Sequence, residues 1–292
     1  MKAYSGWITR SVVLVLFLCR LWAVAQPNVK QIGKGLYAYV SDNDSSANST
    51  FLVDGSGILV VDTGLNATEG GKLLRAIRGV SNLPVKFIVN THYHPDHQGG
   101  NGVVGPDATI ISTDFTRERT LALTKVPGME SFRFRPANLT FEKKITLHME
   151  DQAVEIFFSG KAHTSGDVLV YFPAQRAIAM GDLFLNKSSP AMDNGSVENW
   201  VQVLDHVLQL PVESAVPGHF EVGTRSDLQR FRDYLSDLYE QVKALKKSGE
   251  TLEQVRRDIH MEKYSDFRQY PKYEATFSDN AATIYQQMAD VR

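Results

Sequence analysis

The chain has one cysteine in 292 residues, Cys19, so a disulfide scaffold, an iron–sulfur cluster and a zinc–thiolate site are excluded. It has almost no net charge, with 31 Lys and Arg against 33 Asp and Glu, a formal −2. A nucleic-acid partner held by bulk electrostatics calls for a basic chain, so none is expected. Long hydrophobic runs are also missing. The apolar run at residues 12–19 (VVLVLFLC) falls far short of the ~20 residues of a spanning helix. No Pro-, Gly- or Ser-rich linker and no charge block divides the chain. What remains is 43% hydrophobic and 22% charged, ordinary for a folded globular protein with a large core.

The N-terminus has the pattern of an export signal. Lys2 and Arg10 precede the apolar run, and Ala23-Val24-Ala25 supplies small residues two apart before Gln26. The expected organisation is a signal peptide at 1–25 and one hydrolase domain at 26–292. Cleavage would remove Lys2, Arg10 and Arg20 and no acidic residue, taking the charge from −2 to −5 and leaving no cysteine. A periplasmic or secreted location follows, with no stable membrane insertion after cleavage.

Short apolar runs predict strands at 36–40, 51–53, 58–61, 85–90, 109–112, 153–158, 168–172, 177–180 and 214–216. A 3.6-residue stripe through Leu73, Leu74, Ile77 and Val80 predicts a helix. Val197, Trp200, Val201, Leu204, Val207 and Leu208 predict another, with Ser196 as N-cap, and Leu228 to Leu245 a third that stops near Gly249. Thr251 to Gln254 reads as a capping box for a further helix. Residues 114–147 give no clear pattern.

Three of the eight histidines fall in His92-Tyr93-His94-Pro95-Asp96-His97. Chance odds of this spacing in such a chain are on the order of a few in ten thousand. Residues i and i+2 of an extended chain share a face, so His92 and His94 are expected to converge on one ion. Pro95 should then turn the chain and bring Asp96 and His97 to a neighbouring position. Imidazoles and carboxylates suit zinc. Further donors stand at predicted strand ends: His163, Asp182 after Gly181, and His219 after Gly218. His148, His206 and His260 have no partner at ligand spacing, and His260 is expected within a charged helix. Tyr93 is expected to point away from the flanking imidazoles as core or wall.

In order along the chain, T-H-Y-H-P-D-H-Q-G-G (91–100), A-H-T-S-G-D (162–167), M-G-D-L-F (180–184) and P-G-H-F (217–220) resemble the motifs of the metallo-β-lactamase-fold hydrolases. The resemblance implies an α/β fold, an αββα four-layer sandwich with two zinc ions at one edge, although iron or manganese would also suit the donors. His92, His94 and His163 would hold the first ion, and Asp96, His97 and His219 the second, with Asp182 bridging. Asp62 matches a position that supports the site from behind; a turn residue after a strand is the plainer reading. The two ions would lower the pKa of a shared water from about 15.7 toward about 7 for attack on a small-molecule substrate, with Asp96 as the catalytic carboxylate.

Such chemistry opens esters, lactones, thioesters and amides alike. An aspartate at 182 is similar to the pattern of glyoxalase II and lactonases, whereas the commonest secreted β-lactamases carry cysteine there. Those enzymes also place a lysine three residues on, where this chain has Leu185, with Lys187 two further. A periplasmic β-lactamase is the alternative that the export signal favours. Sulfatase, phosphodiesterase and sulfur-dioxygenase chemistries, and a non-catalytic metal-binding envelope protein, complete the alternatives.

Overall fold

Short runs of Val, Ile, Leu and Phe, bounded by Gly, Asp and Asn, pair in sequential order into a seven-stranded sheet in the computed structural model. Residues 28–129, 131–192, 195–270 and 275–288 are described, so the expected signal peptide lies outside them. The strands are β1 (Val29–Gly33), β2 (Leu36–Tyr39), β3 (Ser49–Asp54), β4 (Gly57–Val61), β5 (Val85–Val89), β6 (Thr109–Ser112) and β7 (Leu139–Thr140). Strands β1 to β4 form an antiparallel meander, and β4 to β7 run parallel. The second sheet holds β8 (Lys144–His148), β9 (Ala153–Phe158), β10 (Val168–Phe172), β11 (Ala177–Ala179), β12 (Ser214–Val216) and β13 (Gly223–Thr224). Only β11 and β12 pair in parallel there.

The helices are α1 (Ala67–Arg78), α2 (Pro95–Gln98), α3 (Asn101–Val104), α4 (Asp114–Leu123), α5 (Val197–Val207), α6 (Arg225–Lys247), α7 (Leu252–Asp258) and α8 (Phe277–Gln287). Three apolar clusters show how the layers stack. Leu59 and Val61 of β4 meet Val168, Val170 and Phe172 of β10 between the sheets. Ile58 and Val60 face the other way, onto Leu73, Ala76 and Ile77 of α1. Leu169 and Tyr171 face Trp200, Leu204, Phe231 and Leu235 of α5 and α6. Every residue of β4 and β10 is buried, as strands covered on both faces must be. The result is helix, sheet, sheet, helix: the four-layer αββα sandwich of the metallo-β-lactamase fold.

The structure departs from sequence expectation at several points. The region without a clear pattern contains α4, β7 and β8; α4 has only two buried residues, Thr116 and Thr120, so it has no apolar stripe to read. Strand β1, mostly half-exposed, is an edge that periodicity does not reveal. His260 lies beyond α7, which ends at Asp258, and not within a helix. Ser196 occupies the N-cap of α5 but its side chain makes no capping bond, whereas Thr251 and Gln254 form the expected capping box. Helix α8 packs on α6 and α7 and was not anticipated. Among the described residues no helix is long and apolar enough to cross a membrane.

Trp200 joins this scaffold to the site edge. It is fully buried, its Nε1 donates to the Leu183 carbonyl at 3.0 Å, and its ring meets those of His163 and Phe231 edge-on. Trp200→Phe removes the donor and leaves that buried carbonyl unpaired, a cost of about 1–3 kcal/mol. A lower denaturation midpoint of that size is expected in a chemical unfolding titration, and an unchanged midpoint would contradict it.

Candidate metal centre

The site forms where strand ends from both sheets meet. Asp62 follows β4, Thr91 and His92 follow β5, Asp182 follows β11 and His219 follows β12. These are carboxyl ends of parallel-paired strands, the edge at which α/β sheets bind ligands. His163 precedes β10, whose Val168 N–H donates to the Thr91 carbonyl at 2.7 Å and ties one sheet to the other at this edge. Thr164 donates twice to Asp167, which fixes the loop behind His163; burial pushes the Asp167 carboxyl up to about 7.

His92 and His94 come together, but not as alternate residues of a strand. Strand β5 ends at Val89, and residues 91–93 are bent. The rings still lie 4.6 Å apart, edge to face. Pro95 opens α2 at a position where a missing N–H costs nothing, and the reversed chain brings His97 to 4.0 Å from His92, ring centre to ring centre. Tyr93 is buried as core, one of the roles expected for it, although its ring stands 4.7 Å from that of His94 and does not point away; Arg119 stacks over it.

All seven donors expected from the sequence converge. Ligand atoms of His92, His94, His163 and Asp182 lie within 4.8 Å of one another, and those of Asp96, His97 and His219 form a second such set. Asp182 presents one oxygen to each. Its Oδ2 is 3.5 Å from Nε2 of His163 and 3.9 Å from Nε2 of His92; its Oδ1 is 3.2 Å from Nε2 of His97 and 3.6 Å from Nε2 of His219. Asp96 Oδ2 is 3.1 Å from Nε2 of His219. Gly218 lies so close that a Cβ there would collide with Oδ1 of Asp182, and a Cβ on Gly181, at φ +51°, would collide with Oγ1 of Thr91.

Three buried atoms at the centre have no hydrogen-bond partner: Nε2 of His92, Nε2 of His97 and Oδ1 of Asp182. Leaving such atoms unpaired costs about 1–3 kcal/mol each, more where charged. Nitrogen and carboxylate oxygen donors aimed at common points are what a divalent cation requires. The cluster fits a metal cofactor.

Asp62 and Thr91 decide which nitrogen each imidazole turns inward. Thr91 donates its N–H to Oδ1 of Asp62 at 2.9 Å and its hydroxyl to Oδ2 at 2.7 Å. With that hydrogen used, Oγ1 accepts from Nδ1 of His92 at 3.1 Å. Oδ2 of Asp62 also accepts from Nδ1 of His97 at 2.7 Å. Both rings therefore keep their neutral-form proton on Nδ1 and direct a bare Nε2 at the cluster. Asp62 is thus more than a turn residue. Thr91 was missed, since a lone threonine carries no signal until its neighbours are in place.

Electrostatics separates the two sets. Burial, with His97 and His94 nearby, holds His92 well below the ordinary imidazole range. Burial acts the same way on His97, but the carboxylates of Asp182, Asp96 and Asp62 outweigh it and raise His97 well above that range. His219 is raised as well, burial being overcome by Asp182 and Asp96. Asp182 is depressed well below the usual carboxylate range: burial opposes this, and His97 and His219 prevail. A cavity of about 540 Å³ opens over His94, Asp96, Asp182 and His219, walled by Leu65, Phe132, Leu185, Phe220 and Tyr270. His148, His206 and His260 lie outside the cluster, as expected.

Asp62→Asn would offer an amide N–H to Nδ1 of His97 and move the ring's proton to Nε2, toward the metal. Metal affinity should drop about 10–100-fold with the fold intact, as read by chelator competition and circular dichroism. Unchanged affinity would show that the tautomer is set elsewhere.

A family model described as the metallo-beta-lactamase superfamily matches residues 42–219, a span that holds all seven donors. The chain is 27% identical over 176 residues to the 2,4-dinitroanisole O-demethylase subunit alpha of Nocardioides sp. (strain JS1661), covering 59% of this chain and 52% of that protein. It is 26% identical over 251 residues to the metallo-beta-lactamase type 2 of Elizabethkingia meningoseptica, covering 80% of this chain and 96% of that one. The stereoselective inverting sec-alkylsulfatase Pisa1 from Pseudomonas sp. shares the fold at a TM-score of 0.72 and 16% identity, over 91% of this chain and 50% of that chain. The chain therefore spans about half the length of the demethylase subunit and of the alkylsulfatase. Because the matched span takes in more than half of the chain and all seven donors, the chain belongs to the metallo-β-lactamase superfamily.

Proposed function

We propose that the chain is an exported hydrolase with a binuclear zinc centre that opens an ester, lactone, thioester or amide. The observation that carries this reading is the Asp182 carboxylate, with one oxygen toward each donor set. His92, His94 and His163 would hold one ion, and Asp96, His97 and His219 the other, with Asp182 spanning both. When bound, the pair supplies an acidified water and an electrophile for the carbonyl. Asp182 offsets the repulsion between two cations with its negative charge. Asp96, whose side chain is 24% exposed at the cavity, is placed to orient the attacking water, to take up the proton that water releases and to deliver that proton to the leaving group. Leu65, Phe132, Phe220 and Tyr270 exclude solvent and give an apolar acyl or alcohol portion its contact area. Export rests on the N-terminal pattern, Lys2 and Arg10 ahead of the apolar run.

A β-lactamase is the second reading, favoured by the match to nearly the whole of the Elizabethkingia enzyme. Leu185 weighs against it. This side chain is buried and lines the cavity, so it offers no ammonium to a drug carboxylate. The likeness of Asp182 to the glyoxalase II and lactonase pattern supports acyl hydrolysis instead.

Metal analysis joined to a panel of ester, lactone, thioester and cephalosporin substrates tests the choice. Two zinc ions per chain and acyl-ester turnover are expected, with cephalosporin turnover weak or absent. Asp182→Asn keeps the size and loses the charge, so it should weaken the second ion and lower kcat at least ~100-fold. Full activity with two metals in that variant would remove the bridging role.

The unequal imidazoles predict a pH order of metal loss. A raised pKa means that His97 and His219 keep their protons to higher pH than His92 in the metal-free chain, and an ion must displace them. His92, depressed, is already neutral. As pH falls, the ion at Asp96, His97 and His219 should leave first, with proton uptake, while the His92 set retains its own to lower pH. Calorimetric titration in two buffers of different ionisation enthalpy measures this, and simultaneous loss of both ions would contradict it.

A further inference from the structure

Asn48 lies 171 positions before His219 and belongs to neither donor set, yet it is hydrogen-bonded to three residues around that histidine. Its backbone N–H donates to the Gly218 carbonyl at 2.7 Å. Its side-chain amide donates to the carbonyl of Pro217 at 3.1 Å and to that of Phe220 at 2.7 Å. Its Oδ1 accepts from the Ser41 N–H at 3.0 Å. The residue is 4% exposed, and both amide hydrogens are committed. The Asn48-Ser49-Thr50 triplet therefore offers no accessible amide for glycan attachment in the folded chain.

Phe220 is the reason that such a clamp is needed. It has φ +71°, a left-handed conformation that a bulky aromatic adopts only when its surroundings impose it. The turn at Phe220 aims His219 at Asp96 and Asp182, and it sends the Phe220 ring into the cavity wall, stacked on Tyr270 with Arg268 over it. The adjacent residue, Ala47, donates its N–H to the Asp96 carbonyl at 3.1 Å. Two consecutive residues thus hold the Asp96 and His219 loops in register. The partners of Asn48 are Ser41, Pro217, Gly218 and Phe220, all outside the set of His92, His94 and His163.

We propose that Asn48 is a positioning residue: by holding the carbonyls on both sides of His219 it fixes the left-handed turn at Phe220 and thereby sets the affinity of the second ion alone. This rests on the assignment of His219 as a metal ligand, so His219→Ala is the reference variant. The full chain would be titrated with zinc against a graded chelator, and with cobalt for its ligand-field spectrum. Asn48→Ala, and the size-matched Asn48→Asp, which lacks the donor hydrogens, should each bind the second ion at least about tenfold more weakly. The first ion should hold within twofold. Phe220→Gly places in the turn the one residue at ease with positive φ, so in the Asn48→Ala background it should recover much of the second ion's affinity. A residue that merely stabilised the fold would move the melting temperature or both ions together, without this selective loss and rescue. Native affinity for both ions in the Asn48 variants, alongside loss of the second ion in His219→Ala, would overturn the proposal. Retention of two ions in His219→Ala would instead overturn the ligand assignment, and this inference with it. Should Asn48→Ala fail to fold, Asn48→Asp decides by the same measurement.

Discussion

The buried carboxylate of Asp62 is the constraint on which the metal centre depends. It has no contact with the cavity, and it sits at φ +55°, a left-handed conformation that costs a non-glycine residue about 1–2 kcal/mol. Its two oxygens take the N–H and hydroxyl of Thr91 and the Nδ1 proton of His97. Its own N–H reaches across to the Val89 carbonyl, so the turn after β4 is pinned to the end of β5. Through Thr91 the same carboxylate reaches His92. One buried charge thus orients a ring from each donor set. Without it both rings would be free to present N–H instead of a lone pair to a cation.

Much of this could be read from the sequence, and what could not has a common physical cause. The six residues from His92 to His97 announced a metal site because chemistry of that density is rare by chance, and His163, Asp182 and His219 were legible as polar residues at strand ends beside glycines. The expected mechanism of convergence was nevertheless different. An extended chain was to bring His92 and His94 to one face; the backbone is bent there, and it is the bend and the Pro95 reversal that gather the rings. Asn48 and Thr91 were invisible because a single amide or hydroxyl acquires its role only from partners in other elements. Helix α4 was invisible for the opposite reason: with Thr116 and Thr120 as its buried residues, it carries no apolar period. Strong local density is legible in sequence, whereas geometry set by tertiary partners is not.

The glycines adjoining Asp182 and His219 show how closely the strand-end loops must approach, within the second sheet and across to the first, for the site to exist. A side chain at 218 would occupy the position of an Asp182 oxygen, and one at 181 that of the Thr91 hydroxyl. The strand-end loops therefore pack backbone against carboxylate, and the polar atoms of the cluster are left with each other as neighbours. Burial of that kind is unfavourable in a metal-free chain: His92 is driven neutral while His97 and His219 are driven to hold protons. The protons occupy positions from which the donor set would otherwise repel itself, with Asp96 and Asp182 as their counter-charges. A divalent ion satisfies the same atoms with more charge and without the desolvation mismatch.

Substrate choice must then come from elements other than the donors. The demethylase subunit and the alkylsulfatase that this chain resembles differ in named activity from each other and from a β-lactamase, yet the superfamily scaffold is common to them. In this chain the cavity wall draws on several separate loops, among them Leu65 after β4, Phe132 between α4 and β7, Leu185 and Ser188 after β11, and Tyr270 from the segment leading to α8. The loop after β11 is anchored from behind, where Asn280 of α8 donates to both Ser189 and Tyr234, and Ser189 itself lines the cavity. Helix α8 thus braces the cavity wall as well as packing in the outer layer of the sandwich. Because these walls hang from loops and the donors from strand ends, the walls can vary without disturbing the ions. Phe220 is the exception: the residue that completes the turn at His219 also forms the wall, so a change of substrate at that position is coupled to the metal.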